Sequence, residues 1–223
     1  MKKACFVTGT DTGVGKTLIT SALLHAYHSK GMTAAGMKPV AAGCTMRDGR
    51  LVSEDVAMLM AAGNVSAAAE LHNPYAFEPP IAPHIAAQQA NDTIRPRRIL
   101  DAYQALAALA DVVMVEGVGG FRVPLAEQFD TADLAQMLNI PVVLVVGLRL
   151  GCINHALLTV DAIQTRGLEL AGWIANRIDP VMAASEQNMQ TLEHYIPAPC
   201  LGVVPYLPSA DFKMAATHLQ LPV

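Results

Sequence analysis

Short apolar runs recur along the chain at residues 4–8, 112–115, 142–146, 170–175 and 201–204. Val and Ile are frequent in them and Gly or Pro ends most, which favours buried strands over helical segments of the same length. A further apolar segment, Ala34-Ala35-Gly36-Met37, runs directly into Lys38-Pro39. Longer amphipathic or Ala-rich stretches at 16–30, 53–62, 96–110, 131–138, 154–166 and 183–195 predict helices. Strands that alternate with helices and are apolar on both faces predict an α/β fold, a mainly parallel sheet flanked by helices on both faces. In such folds ligands sit at the carboxyl ends of the strands. Residues 1–223 read as one domain: the sequence shows no internal repeat, low-complexity tract or linker, and the Pro-rich stretch 73–84 reads as a shaped loop.

Composition narrows the function. With 52% hydrophobic and 15% charged residues the 223-residue chain can bury a substantial core. The net charge is −4 and the Lys and Arg residues are scattered, which argues against a nucleic-acid partner. Cys5, Cys44, Cys152 and Cys200 lie far apart without metal-ligand spacing and read as reduced core or loop thiols. The N-terminus reaches Gly9 and Asp11 before a signal-peptide core can form, and no apolar run approaches the roughly 20 residues a membrane span needs. The expectation is a cytoplasmic protein without a membrane partner.

The segment Gly9-Thr10-Asp11-Thr12-Gly13-Val14-Gly15-Lys16-Thr17 follows the first strand and opens the first long helix. This is the setting a phosphate loop requires. Glycines let backbone N–H groups turn toward an anion and the helix N-terminus adds its dipole. Lys16 can reach the outer phosphates, and the Thr17 hydroxyl can ligate Mg2+. Five residues rather than the usual four separate Gly9 from Gly15, so the loop is a variant of the common pattern.

Mg2+ bound with a nucleotide takes one or two carboxylates besides phosphates and waters. Glu116 ends an apolar strand before Gly117-Val118-Gly119-Gly120, and an acid there is costly unless it has a partner. Asp55 starts a helix, a position that equally suits simple capping. Lys38 brings a second cation to the same sheet edge as Lys16, suited to charge on a transferring phosphoryl group, although a solvated strand end gives the same pattern. Gly151-Cys152-Ile153-Asn154-His155 opens a helix and offers either a backbone anion cradle or a plain Asn154 cap. The seven histidines show no i, i+4 pair; His84 and His155 read as ordinary loop or helix residues.

Taken together, residues 8–17, Lys38-Pro39-Val40, Val115-Glu116-Gly117-Val118-Gly119-Gly120, Leu150-Gly151-Cys152-Ile153-Asn154-His155 and Gly172-Trp173-Ile174-Ala175-Asn176 resemble the dethiobiotin synthetase family, in order and over nearly the whole chain. The family's five-residue loop spacing matches that of this chain. The resemblance implies a P-loop NTPase-like fold and a homodimeric, Mg2+-dependent enzyme that uses ATP and CO2 to close a ureido ring on 7,8-diaminononanoate. It implies that Gly13, Val14, Gly15, Lys16, Thr17 and Leu18 hold the nucleotide, with Gly117, Val118 and Gly119 beside it. Thr12 and Lys16 would contact substrate and phosphates, and Lys38 would steady the carbamate and the transferred phosphoryl. Thr17, Asp55 and Glu116 would hold Mg2+. Asn176 would read the adenine, next to Arg177, with Pro205, Tyr206 and Leu207 flanking the base. Gly151, Cys152, Ile153 and Asn154 would bind the substrate carboxylate across a dimer interface. At Ala42, on the substrate side, family members often carry a hydroxyl residue, and Ala82 replaces a frequent Ser.

Three other readings compete. A nucleotide switch that positions other proteins would share the sheet and a related loop, but such proteins usually carry a Lys where Asp11 stands, and the tail 213–223 offers a single Lys and a late Pro. An amide-forming ligase of cofactor synthesis would need an appended domain that 223 residues cannot hold. A paralogue acting on a related diamine would keep the phosphate machinery and differ at positions such as Ala42.

Overall fold

The computed structural model describes residues 3–222. In chain order its elements are β1 Lys3–Gly9, α1 Lys16–Ser29, β2 Ala34–Met37, β3 Val40–Ala42, β4 Thr45–Arg47, β5 Arg50–Val52, α2 Glu54–Ala62, α3 Ala69–His72, β6 Tyr75–Phe77, α4 Pro83–Gln89, α5 Pro96–Leu109 and β7 Val112–Glu116. Then follow β8 Pro124–Ala126, β9 Phe129–Asp130, α6 Thr131–Leu138, β10 Val142–Gly147, α7 Cys152–Thr165, β11 Leu170–Asn176, α8 Ser185–Tyr195, β12 Cys200–Val204 and α9 Phe212–Ala216. Six strands form one sheet in the order β12-β11-β10-β1-β7-β2, every neighbouring pair parallel. The α/β expectation holds, with each of the five apolar runs a strand of this sheet and Ala34–Met37 the sixth.

Both faces of the sheet are covered, so the period of two along a strand decides which core a side chain enters rather than whether it is buried. In β1, Cys5 and Val7 join the core under α1, α2 and α9, with Ile19, Leu23, Leu59 and Ala215. Phe6 points the other way, into the core under α4, α5 and α6 with Ile99, Leu106 and Leu134. Leu144 and Val146 of β10 enter a third cluster with Trp173, Met189 and Leu192, beneath α7 and α8.

The chain reverses direction across the sheet at β1, whose neighbours β10 and β7 are reached by separate crossovers, and ligand crevices form at such points. Ladder bonds continue past the strand ends there and fix the outgoing loops. Thr10 N–H donates to Val145 O at 3.1 Å, Gly117 N–H to Val7 O at 2.9 Å and Leu148 N–H to Asn176 O at 2.8 Å.

The stretch read as a shaped loop holds two elements. Tyr75–Phe77 pairs in parallel with Val40–Ala42, and Pro83 occupies the first turn of α4, where its missing N–H is no loss. α7 begins two residues before the predicted start because Gly151, at φ 92°, turns the chain straight into the helix.

The C-terminal segment crosses β12. Gln220 N–H donates to Leu201 O at 2.7 Å, Gly202 bridges to Leu219, and Tyr27 OH donates to Pro222 O at 3.1 Å. A Cβ on Gly202 would lie 2.1 Å from His218 O. Gly202→Ala is therefore expected to push this segment off the sheet and cost about 1–3 kcal/mol, the range for overpacking a close contact. A lower denaturant midpoint, with faster proteolysis beyond residue 210, checks this.

Candidate active site

The phosphate loop leaves β1 and enters α1 through Gly15, which caps the helix with backbone alone at φ 87° and no side-chain hydrogen bond. The first N–H groups of α1 therefore lack an intrahelical acceptor and receive none from the N-cap residue, an arrangement suited to an anion. Any Cβ on Gly15 would lie 2.2 Å from Asn176 Nδ2. That amide donates to Val14 O at 2.9 Å, so the end of β11 grips the loop from below. Val14 itself is fully buried.

Four ionisable groups meet at this edge. Lys16, 7% exposed, donates through Nζ to Asp11 O at 2.9 Å. Lys38, just past β2, donates to Glu116 Oε1 at 2.7 Å and also to Asp55 Oδ2. Glu116, with no exposed surface, ends β7 and accepts from Thr17 Oγ1 at 2.8 Å through the same Oε1. Its Oε2 is buried and has no hydrogen-bond partner among the described residues. Asp55 lies in the first turn of α2, whose cap is the neighbouring Ser53, Oγ accepting from Val56 N–H at 3.4 Å. The capping role is thus filled, and the Asp55 carboxylate turns to Lys38 instead.

Burial dominates the Lys16 titration and lowers it from 10.5 to about 8; repulsion from Lys38 adds to this while Glu116, Asp55 and Asp11 oppose it. Burial also works against the charged form of Lys38, but the Glu116 and Asp55 carboxylates outweigh it and raise this ammonium above its usual value. For Asp55 burial pushes upward and is overcome by the attraction and hydrogen bond of Lys38, so its carboxyl is held below the usual range.

These groups line a cavity of about 870 Å3. Of the residues singled out from sequence, Thr12, Gly13, Gly15, Lys16, Thr17, Leu18, Lys38, Ala42, Asp55, Glu116, Val118 and Gly119 all border it. Gly117 does not; a Cβ on it would meet the Phe6 ring at 3.2 Å. Asn176 lies beneath the loop, 4% exposed. The Arg177 guanidinium turns away to Ser185 Oγ at 2.6 Å and to Glu186. Pro205, Tyr206 and Leu207 follow β12 farther along the same edge, with Tyr206 48% exposed. The Gly151, Cys152, Ile153 and Asn154 cradle opens α7 outside the cavity. Its Cys152 N–H already donates to Arg149 O at 3.0 Å, and among the described residues the Ile153 and Asn154 N–H groups have no backbone acceptor.

Sequence reasoning missed several contributors. Met58, Pro80, Ile81, Pro83, Val123 and Ala210 add an apolar wall to the cavity, beside Ala82; Met58 belongs to α2 and Pro83 opens α4, while the others come from loops whose spacing carries no signal. Arg149 pairs with the Asp11 carboxylate, which also accepts from Thr12 N–H at 2.7 Å, and so ties the phosphate loop to the start of α7. Its place directly before Leu150-Gly151 was the available clue.

A family model described as an AAA domain matches residues 3–213. The ATP-dependent dethiobiotin synthetase BioD of Aromatoleum aromaticum is 54% identical, the alignment covering 99% of this chain and 98% of that one. The same-named protein of Ralstonia nicotianae is 51% identical over 97% and 95% of the two chains. Among solved structures, the MinC:MinD cell division complex of Aquifex aeolicus superposes with a TM-score of 0.57 at 14% identity, covering 99% of this chain and 86% of that one. A ParA family ATPase from Chlorobium tepidum gives 0.57 at 15%, over 98% and 91%. At that identity the structural likeness shows the fold alone, one shared with these ATPases. The curated relatives, more than half identical and covered over nearly the whole length of both chains, make this chain a member of the dethiobiotin synthetase family.

Proposed function

We propose that this chain catalyses the ATP-dependent carboxylation and ring closure of 7,8-diaminononanoate with CO2, giving dethiobiotin, ADP and phosphate in biotin synthesis; its curated relatives are named ATP-dependent dethiobiotin synthetases. The observation that carries this reading is the convergence of Lys16, Lys38, Thr17, Asp55 and Glu116 on one cavity beside the phosphate loop. Phosphoryl transfer needs little from a protein beyond positioned positive charge and orientation.

One substrate amine takes up CO2 as a carbamate, whose oxygen attacks the γ-phosphate of ATP. The second amine then attacks the carbamate carbon of the mixed anhydride and expels phosphate. The α1 N-terminus and Lys16 hold the phosphates, Lys38 stands between carbamate and transferred group, and Thr12 orients the substrate. The wall of Met58, Ile81 and Pro83 suits the aliphatic chain of the diamine and keeps water from the anhydride. Asn176, Pro205, Tyr206 and Leu207 border the path for the base.

Mg2+ fits the donor set: two carboxylates and a hydroxyl, all hard oxygens, with Glu116 Oε2 buried and unpartnered beside them. Thr17, Asp55 and Glu116 would hold it, and it would neutralise charge on the β- and γ-phosphates. The chain would work as a homodimer in which the cradle at Ile153 and Asn154 takes the substrate carboxylate of the partner's site. Leu150, 95% exposed, and Leu158, 60% exposed, support a subunit contact around α7. Among the described residues no helix is long and apolar enough to cross a membrane. We place the protein in the cytoplasm, as a single domain.

Two measurements bear on this. With MgATP and bicarbonate, ADP and phosphate release should be negligible until 7,8-diaminononanoate is added, then keep pace with dethiobiotin identified by mass; turnover indifferent to the diamine would refute the assignment. The second concerns Lys16. A lysine whose folded pKa lies below its unfolded value costs stability while charged, a cost fully present below pH 8 and relieved as pH rises from about 8 to 10.5. Nucleotide affinity runs the opposite way, because phosphates bind the charged form. ATP affinity measured without metal should hold below pH 8 and fall above it by at most about tenfold per pH unit, and Lys16→Arg should flatten the profile. A flat profile in the unaltered protein would contradict this.

A further inference from the structure

One oxygen of each carboxylate that suits a metal is already taken by an ammonium. Lys38 is 5% exposed and its Nζ lies between two carboxylates, bonded to Asp55 Oδ2 and, at 2.7 Å, to Glu116 Oε1. The same Oε1 accepts from Thr17 Oγ1 at 2.8 Å. A divalent cation held by Thr17, Asp55 and Glu116 would share these carboxylates with the ammonium and, even at the unpartnered Glu116 Oε2, would sit against a buried like charge. Lys16 is engaged in a comparable way, its Nζ on the Asp11 carbonyl at 2.9 Å. Both lysines therefore rest on protein oxygens.

Charge balance points the same way. Two lysines and two carboxylates leave the cluster neutral, so it has no net attraction for a free dication. A nucleotide polyphosphate changes this, because it brings negative charge and gives both ammonium groups new acceptors. From this geometry we infer that Lys38 holds the cation position in the nucleotide-free protein, keeps free divalent metal off Glu116 and Asp55, and gives up that position when nucleotide phosphates arrive. Movement of Lys38 off the carboxylates would carry it toward the phosphoryl group, so metal entry and assembly of the transfer site would be one event. The inference rests on the assignment of Thr17, Asp55 and Glu116 as the metal-holding groups.

Mn2+ serves as the probe, its free concentration read by electron paramagnetic resonance with no turnover involved. In the absence of nucleotide, the unaltered protein should bind Mn2+ weakly and Lys38→Met roughly tenfold or more tightly, the like charge having gone. Lys38→Arg keeps the charge and should bind as weakly as the unaltered protein. Should Lys38→Met fail to fold, Lys38→Gln, which still offers hydrogen-bond donors to both carboxylates, should show the same gain. Adding Glu116→Gln to either neutral variant should abolish it. Equal Mn2+ affinity in charged and neutral variants would overturn the inference, as would a gain in Lys38→Arg or one that survives Glu116→Gln. A non-hydrolysable ATP analogue separates this from failure of the site assignment: if the unaltered protein binds no Mn2+ even with the analogue, the metal-holding groups themselves are misassigned.

Discussion

A carboxylate with no exposed surface governs this active site. Glu116 is carried to the end of β7 by an apolar strand that has no other polar group to offer it. An ionised carboxylate in such a place is tolerated only with cations and donors on its oxygens. Thr17 and Lys38, 99 and 78 residues away in sequence, meet that need at one oxygen, and Asp55 shares the lysine. Removing Lys38 would leave Glu116 with the Thr17 hydroxyl but no cation, and removing Glu116 would leave Lys38 with Asp55 alone, so the site depends on α1, α2, β2 and β7 coming together.

The sheet supplies that register. Because every strand is parallel and covered on both faces, polar side chains can gather only where strands end, and all carboxyl ends lie on one edge. Ladder bonds that continue into the loops at Thr10, Gly117 and Leu148 tie the outgoing loops to this edge. The Asp11–Arg149 pair works differently. Both side chains are more than two-fifths exposed, so the contact contributes at most about 1 kcal/mol. Its effect is orientation: it fixes Asp11, whose carbonyl holds Lys16, relative to the start of α7.

The central strands are legible in sequence because burial on both faces gives unbroken apolar runs, and the long helices because they are amphipathic over several turns. Strand order is not legible: nothing in the run 112–116 says that it lies between β1 and β2. Nor are β3, β6 and the hairpins β4–β5 and β8–β9, since two or three residues carry no period. At the site, the phosphate loop and Glu116 stand out because glycines and an acid at strand ends are costly without a purpose. That Lys38 bonds both Asp55 and Glu116 is invisible at those separations, and the apolar wall of Met58 on α2 with Pro80 and Ile81 in a loop is ordinary composition until the fold assembles it. Asn176 is legible as a strand-end polar residue, but its grip on Val14 O is not.

What separates carbamate phosphorylation from simple ATP hydrolysis is the origin of one oxygen atom. In the proposed route the oxygen that attacks the γ-phosphate comes from CO2 and leaves with the phosphate when the ring closes; in hydrolysis it comes from water. Short reactions with 18O-labelled CO2 and bicarbonate in unlabelled water, followed by mass analysis of the released phosphate, therefore test the account most directly. The account requires phosphate carrying one 18O for each ring closed. Unlabelled phosphate, formed while the label is still present in CO2, would contradict it.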